Sequence, residues 1–347
     1  MKLRFRGDTF RILELSDIQE RADFDRRTAE SIDYLLDTQR PDLVMLGGDN
    51  CFGPDIRTKE ELTRFLDRLA SFMEKRATPW AHIFGNHDHD VRCVSAAELQ
   101  AMYEAYPHCI SRHSEGMHGV TNYYLDILDA QDAPAFRIWC LDTNGALADS
   151  ALNARFGAGG LRAAAVLPVM PGNVDRYDIV YFDQLVWYDA ASRALEADAG
   201  RLIPSMMFCH IAPEELSLAI ANPEHCALRG GATERLAPAA LNSGLFSLLV
   251  QRGDVGTLAC AHTHKDSFQA RYCGIQVCFD ACAGYTCYGL AQERGGRVFD
   301  IDRRTGRVDT RMVFTAEHVA KAGRDDAQAI ATANAAIESE SALLAGL

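Results

Sequence analysis

The sequence predicts an α/β protein in which helices cover a β-sheet. Two observations carry this prediction. Short apolar runs of strand length alternate with longer segments whose apolar residues recur at helical spacing. Five polar segments also stand directly behind apolar runs: LSDIQ (Leu15 to Gln19), GGDN (Gly47 to Asn50), FGNHDHD (Phe84 to Asp90), FCHI (Phe208 to Ile211) and CAHTH (Cys260 to His264). The chain has 347 residues, 48% hydrophobic and 24% charged. That is ordinary for a globular protein and ample for a buried core.

The elements follow in order. Lys2 to Arg6 and Phe10 to Leu15 read as strands around the turn at Gly7-Asp8. Phe24 to Arg40 reads as a helix with Ile32, Leu35 and Leu36 on one face, and Pro41 ends it. Leu43 to Leu46 is a short buried strand. Asp55 to Arg76 is a second helix, with Leu62, Phe65, Leu66, Leu69 and Phe72 in register. Trp80 to Phe84 is the next strand. Ser95 caps a helix to Tyr106, with Glu98 as its capping-box partner. Val120 to Leu128 and Ala135 to Leu141 read as adjacent strands. Residues 144–176, rich in Ala and Gly with Pro168 and Pro171, read as an inserted loop or small subdomain. Tyr181 to Ala197 is helical, Ile203 to Cys209 a strand, Leu241 to Arg252 a helix and Val255 to Ala261 a strand. Further strands run from Ser267 to about Phe314. The domain is therefore expected over 1–314, with a helical extension over 315–347 that could support a homo-oligomer.

Composition narrows the function classes. A net charge of −13 argues against binding duplex nucleic acid, which needs a basic face. The 11 cysteines form no Cys-x-x-Cys pair. Cys273, Cys278, Cys282 and Cys287, at mixed spacings along apparent strands, read as free thiols packed as small hydrophobes. No apolar run is long enough to span a membrane, and MKLRFRGDTF has no apolar signal core. The cytoplasm is the expected compartment.

The chemistry sits behind the strands, where open α/β sheets place ligand-binding groups. Asp17 or Asp49 alone reads as a turn former. FGNHDHD is more specific: Asn86 offers an amide oxygen and His87 a titratable imidazole. Asp88 is the expected orienting partner of His87, while His89 and Asp90 read as solvated loop. His262 and His264 lie two apart at a strand end and so share a face, a moderately specific metal signal. Carboxylate, amide and imidazole together can hold two divalent ions, which suits hydrolysis of a phosphate ester.

The order and identity of these segments resemble the calcineurin-like metallophosphoesterase superfamily, over roughly Phe10 to Asp302. YPHCISRH, NYYLDI, RIWCLDTN, NSGLFSLL and GYTCYG are similar to its small intracellular, purple-acid-phosphatase-like branch. The resemblance implies a four-layer αββα sandwich: two mixed β-sheets face to face, with outer helices and the site at strand ends. It implies that Asp17 and His264 bind a first metal, that Asn86, His210 and His262 bind a second, and that Asp49 bridges them. His87 becomes the acid over the scissile phosphate, and a hydroxide between the ions the nucleophile. Oxygen and nitrogen ligands suit manganese, iron or zinc.

Three residues depart from the pattern. Gln19 stands where most members have histidine, a weaker, neutral ligand to the first metal. Ala261 replaces the usual glycine before His-x-His. Phe52 stands where true purple acid phosphatases have tyrosine. Arg229, Tyr285 and His113, with Arg112 and His118, are candidate substrate contacts; Arg229 leads because guanidinium binds phosphate bidentately. The leading expectation is a hydrolase of a phosphomonoester, either a small molecule or a phosphoprotein. A phosphodiesterase or nucleotide pyrophosphatase, mildly favoured by Gln19, is the alternative, and a silent binding scaffold stands third.

Overall fold

The computed structural model describes residues 1–157, 160–161 and 177–319. Among the described residues, twelve strands build two sheets. In chain order they are β1 (Leu3–Arg4), β2 (Thr9–Leu15), β3 (Leu43–Leu46), β4 (Trp80–His82), β5 (Tyr123–Leu128), β6 (Pro134–Leu141), β7 (Ser205–Cys209), β8 (Val255–Cys260), β9 (Gln269–Tyr272), β10 (Ile275–Phe279), β11 (Gly295–Asp302) and β12 (Val308–Phe314). One 7-stranded sheet runs β1-β5-β6-β7-β8-β10-β9, and a 5-stranded sheet runs β12-β11-β2-β3-β4. Both are mixed. The β2–β3–β4 and β6–β7–β8–β10 neighbours are parallel, while β5–β6, β9–β10, β2–β11 and β11–β12 are antiparallel.

The strands around Gly7-Asp8 do not pair with each other. Leu3 pairs in parallel with Ile127, and β2 lies in the other sheet. Local pattern finds the strands but cannot choose a partner more than a hundred residues away.

The layers follow from which face each side chain takes. Phe10, Ile12, Leu43, Met45, Ile138, Phe208, Ala259 and Phe299 form a core between the sheets. Leu13, Leu15, Val44 and Leu46 point the other way, against α1 (Arg26–Gln39), α2 (Lys59–Glu74) and α4 (Ala96–Glu104). The short helix between the last two, α3 (Asn86–His89), belongs to the site. α5 (Ala151–Ala154) is a single turn. On the far side, Trp139, Leu141, Met207 and Leu258 pack under α6 (Phe182–Ala199), α7 (Leu216–Ala221) and α8 (Leu245–Arg252). All four residues of β3 are fully buried, each contributing about 1.5–3 kcal/mol of hydrophobic stabilisation. A strand buried on both faces reads as a continuous apolar run, as β3 does.

Helix ends agree with their local signals. Ser95 accepts from the Glu98 N–H, and Glu98 returns a bond to the Ser95 N–H at 2.9 Å. Thr58 and Glu61 form the same box on α2, which begins later than expected because a 3-10 turn occupies Gly53–Asp55. Residues 162–176 of the expected insertion, with Pro168 and Pro171, lie outside the described residues, as do 320–347 of the expected C-terminal helix. Of that extension, residues 315–319 form a turn that packs onto the domain. Thr315 is buried against Ser31, and His318 stacks on Tyr34.

Candidate metal centre

The C-terminal ends of β2, β3, β4, β7 and β8 share one edge of the sandwich, and the five polar segments leave from there. The backbone turns sharply at the chemical residues. Asp17, Asp49 and His262 are left-handed, with φ of 49°, 49° and 74°, and Gln19 has φ of 44°. Such a conformation costs a non-glycine residue about 1–3 kcal/mol, so its surroundings must enforce it. Cross-segment bonds do so: Asp17 N–H donates to Gly48 O at 3.0 Å and Gln19 N–H to Asp49 O at 2.9 Å. The backbone N–H of His87 donates to Asp49 Oδ1 at 2.7 Å, and that of His262 to Asp17 Oδ2 at 3.1 Å.

Two glycines let these segments close up. A Cβ on Gly48, which has φ of +97°, would lie 2.6 Å from His210 Nδ1. One on Gly85 would lie 2.3 Å from Asp49 Oδ1.

Two buried clusters result, Asp17–Asp49–His264 and Asp49–His210–His262, with ligand atoms in each within 4.8 Å of one another. Asp49 belongs to both. His210 Nδ1 faces Gly47 O at 2.9 Å and His264 Nδ1 faces Tyr288 O at 2.9 Å. When both Nδ1 atoms donate, each Nε2 is left with its lone pair towards the carboxylates, the tautomer that a metal-binding histidine needs. His264 Nε2 is 3.2 Å from Asp17 Oδ1, and His210 Nε2 is 3.3 Å from Asp49 Oδ2. Four buried atoms here have no hydrogen bond: Asp17 Oδ1, Asn86 Oδ1, His210 Nε2 and His262 Nδ1. Each such atom costs about 1–3 kcal/mol. Burial lowers the His210 pKa, but Asp49 and then Asp17 outweigh it and raise it to about 9. The carboxylates thus demand positive charge, which a bound cation would meet. Orphaned oxygen and nitrogen acceptors around paired carboxylates fit divalent ions.

The sequence profile of the calcineurin-like phosphoesterases matches residues 10–266. This chain belongs to that family. A relative named "Probable inactive purple acid phosphatase 29" from Arabidopsis thaliana is 29% identical over 294 residues, covering 80% of this chain and 69% of that protein. "Probable inactive purple acid phosphatase 14" from the same plant is 26% identical, covering 83% and 74%. The crystal structure of a dimetal phosphatase from Danio rerio shares the fold. Its TM-score is 0.52 at 16% identity, covering 87% of this chain and 98% of that one.

Within the family frame, the structure corrects several assignments. Asp88 does not touch His87. It is buried and accepts from the backbone N–H groups of Gly85 at 2.9 Å and Asn50 at 3.2 Å. Burial, and secondarily Asp49, raises its pKa to about 6. The partner of His87 is Asp90, whose Oδ2 lies 2.9 Å from Nδ1, one helical turn on. Burial lowers the pKa of His87, but Asp49 and Asp90 outweigh it and the net shift is upward. His89 is no solvated loop residue either: its Nε2 meets Asp142 Oδ1 at 2.9 Å. Phe52 packs on the His87 ring at 4.9 Å, and Tyr177 stands edge-on to His262 at 4.4 Å.

Gln19 does reach the first cluster, through its amide nitrogen. Nε2 donates to Asp49 Oδ2 at 3.0 Å and lies 3.2 Å from His264 Nε2.

The expected substrate contacts are elsewhere. The backbone of Arg229 pairs with Gln269, and the residue lines a cleft with Arg271 and Arg307 that includes none of the candidate ligands. Tyr285 is buried between Arg27 and Arg294, its hydroxyl 3.2 Å from Thr315 Oγ1. His113 is exposed beside Glu104 and Glu115. His118 stacks on Tyr181 and meets Asp183, and Arg112 is exposed.

Asp90 had a legible signal, the i,i+3 spacing from His87 on a helical turn. Phe52 stands out in the sequence only as the replacement of a family tyrosine, and Tyr177 had no signal.

Proposed function

We propose that this chain hydrolyses a phosphomonoester with two divalent ions. Asp17 and His264 would hold one, Asn86, His210 and His262 the other, and Asp49 both. The observation that carries this reading is the set of four buried ligand atoms without a hydrogen bond, gathered around two carboxylates. When bound, ions of the manganese, iron or zinc class neutralise phosphoryl oxygens and activate water.

The chain's own residues do the rest. The N–H of His87 fixes one oxygen of Asp49. His87 Nδ1 is tied to Asp90, which leaves Nε2 to donate a proton to the departing alkoxide. Asp49 and Asp90 favour the protonated ring needed for that step.

A phosphodiester or nucleotide diphosphate substrate is the second reading, supported by Gln19 beside the first cluster in place of the usual histidine. A silent scaffold is the third, supported by the relatives named probable inactive. The substrate under the leading reading is a phosphorylated small molecule or phosphoprotein. No helix among the described residues is long and apolar enough to cross a membrane, and the proposed compartment is the cytoplasm.

Turnover of p-nitrophenyl phosphate and of bis(p-nitrophenyl) phosphate, with added manganese, tests the proposal. A higher kcat/KM for the monoester supports it, and the reverse order replaces it with the diesterase reading. Absence of both turnover and bound metal leaves the scaffold.

A further inference from the structure

Cys282 and Cys287 are not strand residues. Both lie in the connection between β10 and β11, beside the histidine of the first cluster. His264, Cys282 and Cys287 offer ligand atoms that all lie within 4.8 Å of one another. All three residues are buried, Cys287 being the most exposed at 8%. The loop is shaped around the sulfurs. A Cβ on Gly289 would lie 2.5 Å from Cys282 Sγ, and one on Gly284 would collide with Ile18 O. The buried guanidinium of Arg294 donates from Nη1 to Cys282 Sγ at 3.3 Å and to Cys287 Sγ at 3.7 Å. The same group clamps the loop through Gly284 O and Cys287 O.

Arg294 is held by the Gly284 and Cys287 carbonyls and the Tyr285 ring, and the same Nη1 also faces both sulfurs, where its positive charge would stabilise thiolates. Two sulfurs and one imidazole, with Tyr288 O beside Cys282 Sγ at 3.5 Å, make a different donor set from the carboxylate clusters. Thiolate and imidazole select thiophilic ions, and N–H···S bonds from a second shell are how such thiolates are held.

We propose that His264, Cys282 and Cys287 form an alternative site for one thiophilic divalent ion of the zinc class. On binding, each thiol releases its proton to solvent and the sulfur lone pair becomes the metal bond, His264 binds through one ring nitrogen and keeps its proton on the other, and Arg294 hydrogen-bonds to the resulting thiolates. A neutral imidazole has a single lone pair, so this ion and the first ion of the proposed pair compete for His264; the site does not depend on that pair being catalytic.

Cobalt(II) alone, added to the chelator-treated full chain, reports it. Sulfur–cobalt charge transfer absorbs in the near ultraviolet, and a carboxylate–imidazole site lacks that band. The band is expected in the wild type, saturating with a single ion per chain. It should fall at least ten-fold in Cys282→Ser and in Cys287→Ser and persist in Asp49→Ala. Cobalt binding without the band in the wild type, or a band unchanged in both serine variants, overturns the proposal and leaves the phosphohydrolase reading standing. A second measurement needs no variant: X-ray absorption of the cobalt-loaded chain should show sulfur scatterers bound to the ion, and a shell of oxygen and nitrogen alone overturns the site.

Discussion

Asp90→Asn isolates the residue that the structure assigns to orienting His87. The Nδ1–Oδ2 contact is 2.9 Å. A hydrogen bond to a charged group contributes about 1.5–3 kcal/mol. The two side chains remain 27% and 24% exposed, so solvent screening reduces this to about 1–2 kcal/mol. At about 1.4 kcal/mol per factor of ten, kcat should fall roughly 5- to 30-fold. The pH profile should move as well. Burial lowers the pKa of His87, and Asp49 and Asp90 together more than reverse this. Removing the Asp90 charge lowers the pKa, so the alkaline limb of kcat moves to lower pH. Metal content should not change, because Asp90 is in neither cluster. The assay is kcat against pH on p-nitrophenyl phosphate, with metal analysis of the same preparations. An unshifted alkaline limb in Asp90→Asn, or the shift appearing in Asp88→Asn instead, would refute the assignment.

Asp49→Ala should release both ions, and full metal content by elemental analysis contradicts the shared-ligand role. Gly85→Ala pushes a methyl against Asp49 Oδ1 at 2.3 Å. It should cost about 1–3 kcal/mol and lower metal occupancy, read by melting and metal analysis; a variant matching the wild type in both contradicts the cradle. Gln19→His should raise first-site affinity by replacing an amide with a better ligand, and unchanged manganese titration counts against Gln19 facing that site. Asp142→Ala strands His89 and should destabilise the fold by about 3–5 kcal/mol in denaturant titration. The pair's pH window follows from its shifts. Despite burial, His89 draws the Asp142 pKa down to about 2, so the aspartate's contribution is present above about pH 4 and lost as pH falls towards 2. Burial lowers the pKa of His89 but Asp142 outweighs it, so the histidine's contribution is full below about pH 6.5 and lost as pH rises through its raised pKa. A stability profile for Asp142→Ala parallel to the wild type would contradict this.

Much of the site was legible because its residues follow strands directly. The apolar runs ending at Leu15, Leu46, Cys209 and Cys260 are buried strands. Parallel neighbours put their C-terminal ends on one edge whatever the loops do. The Ser95–Glu98 box and the helical spacing in α2 were legible for the same reason: each depends on residues within a turn or two. What spans the chain was not. Nothing near Asp88 says that it turns inward to backbone N–H groups while Asp90 takes His87. His89 and Asp142 are 53 positions apart, and Cys282 and Cys287 looked like strand hydrophobes until folding set them against His264 and Arg294.

The sequence by itself determined buried strands covered by helices, the ordered ligand types and the edge that carries them, because periodicity and strand-end position are local properties; the two-sheet sandwich entered through the family resemblance. The tertiary structure decided how the two sheets meet, which sets Asp49 in both clusters as the resemblance implies. It also decided which aspartate faces His87, that Arg229, Tyr285 and His113 lie outside the centre, and that a pair of sulfurs adjoins it. These are contacts between segments remote in sequence. They are fixed by burial, by the left-handed turns at Asp17, Asp49 and His262, and by the close approach that Gly48 and Gly85 permit.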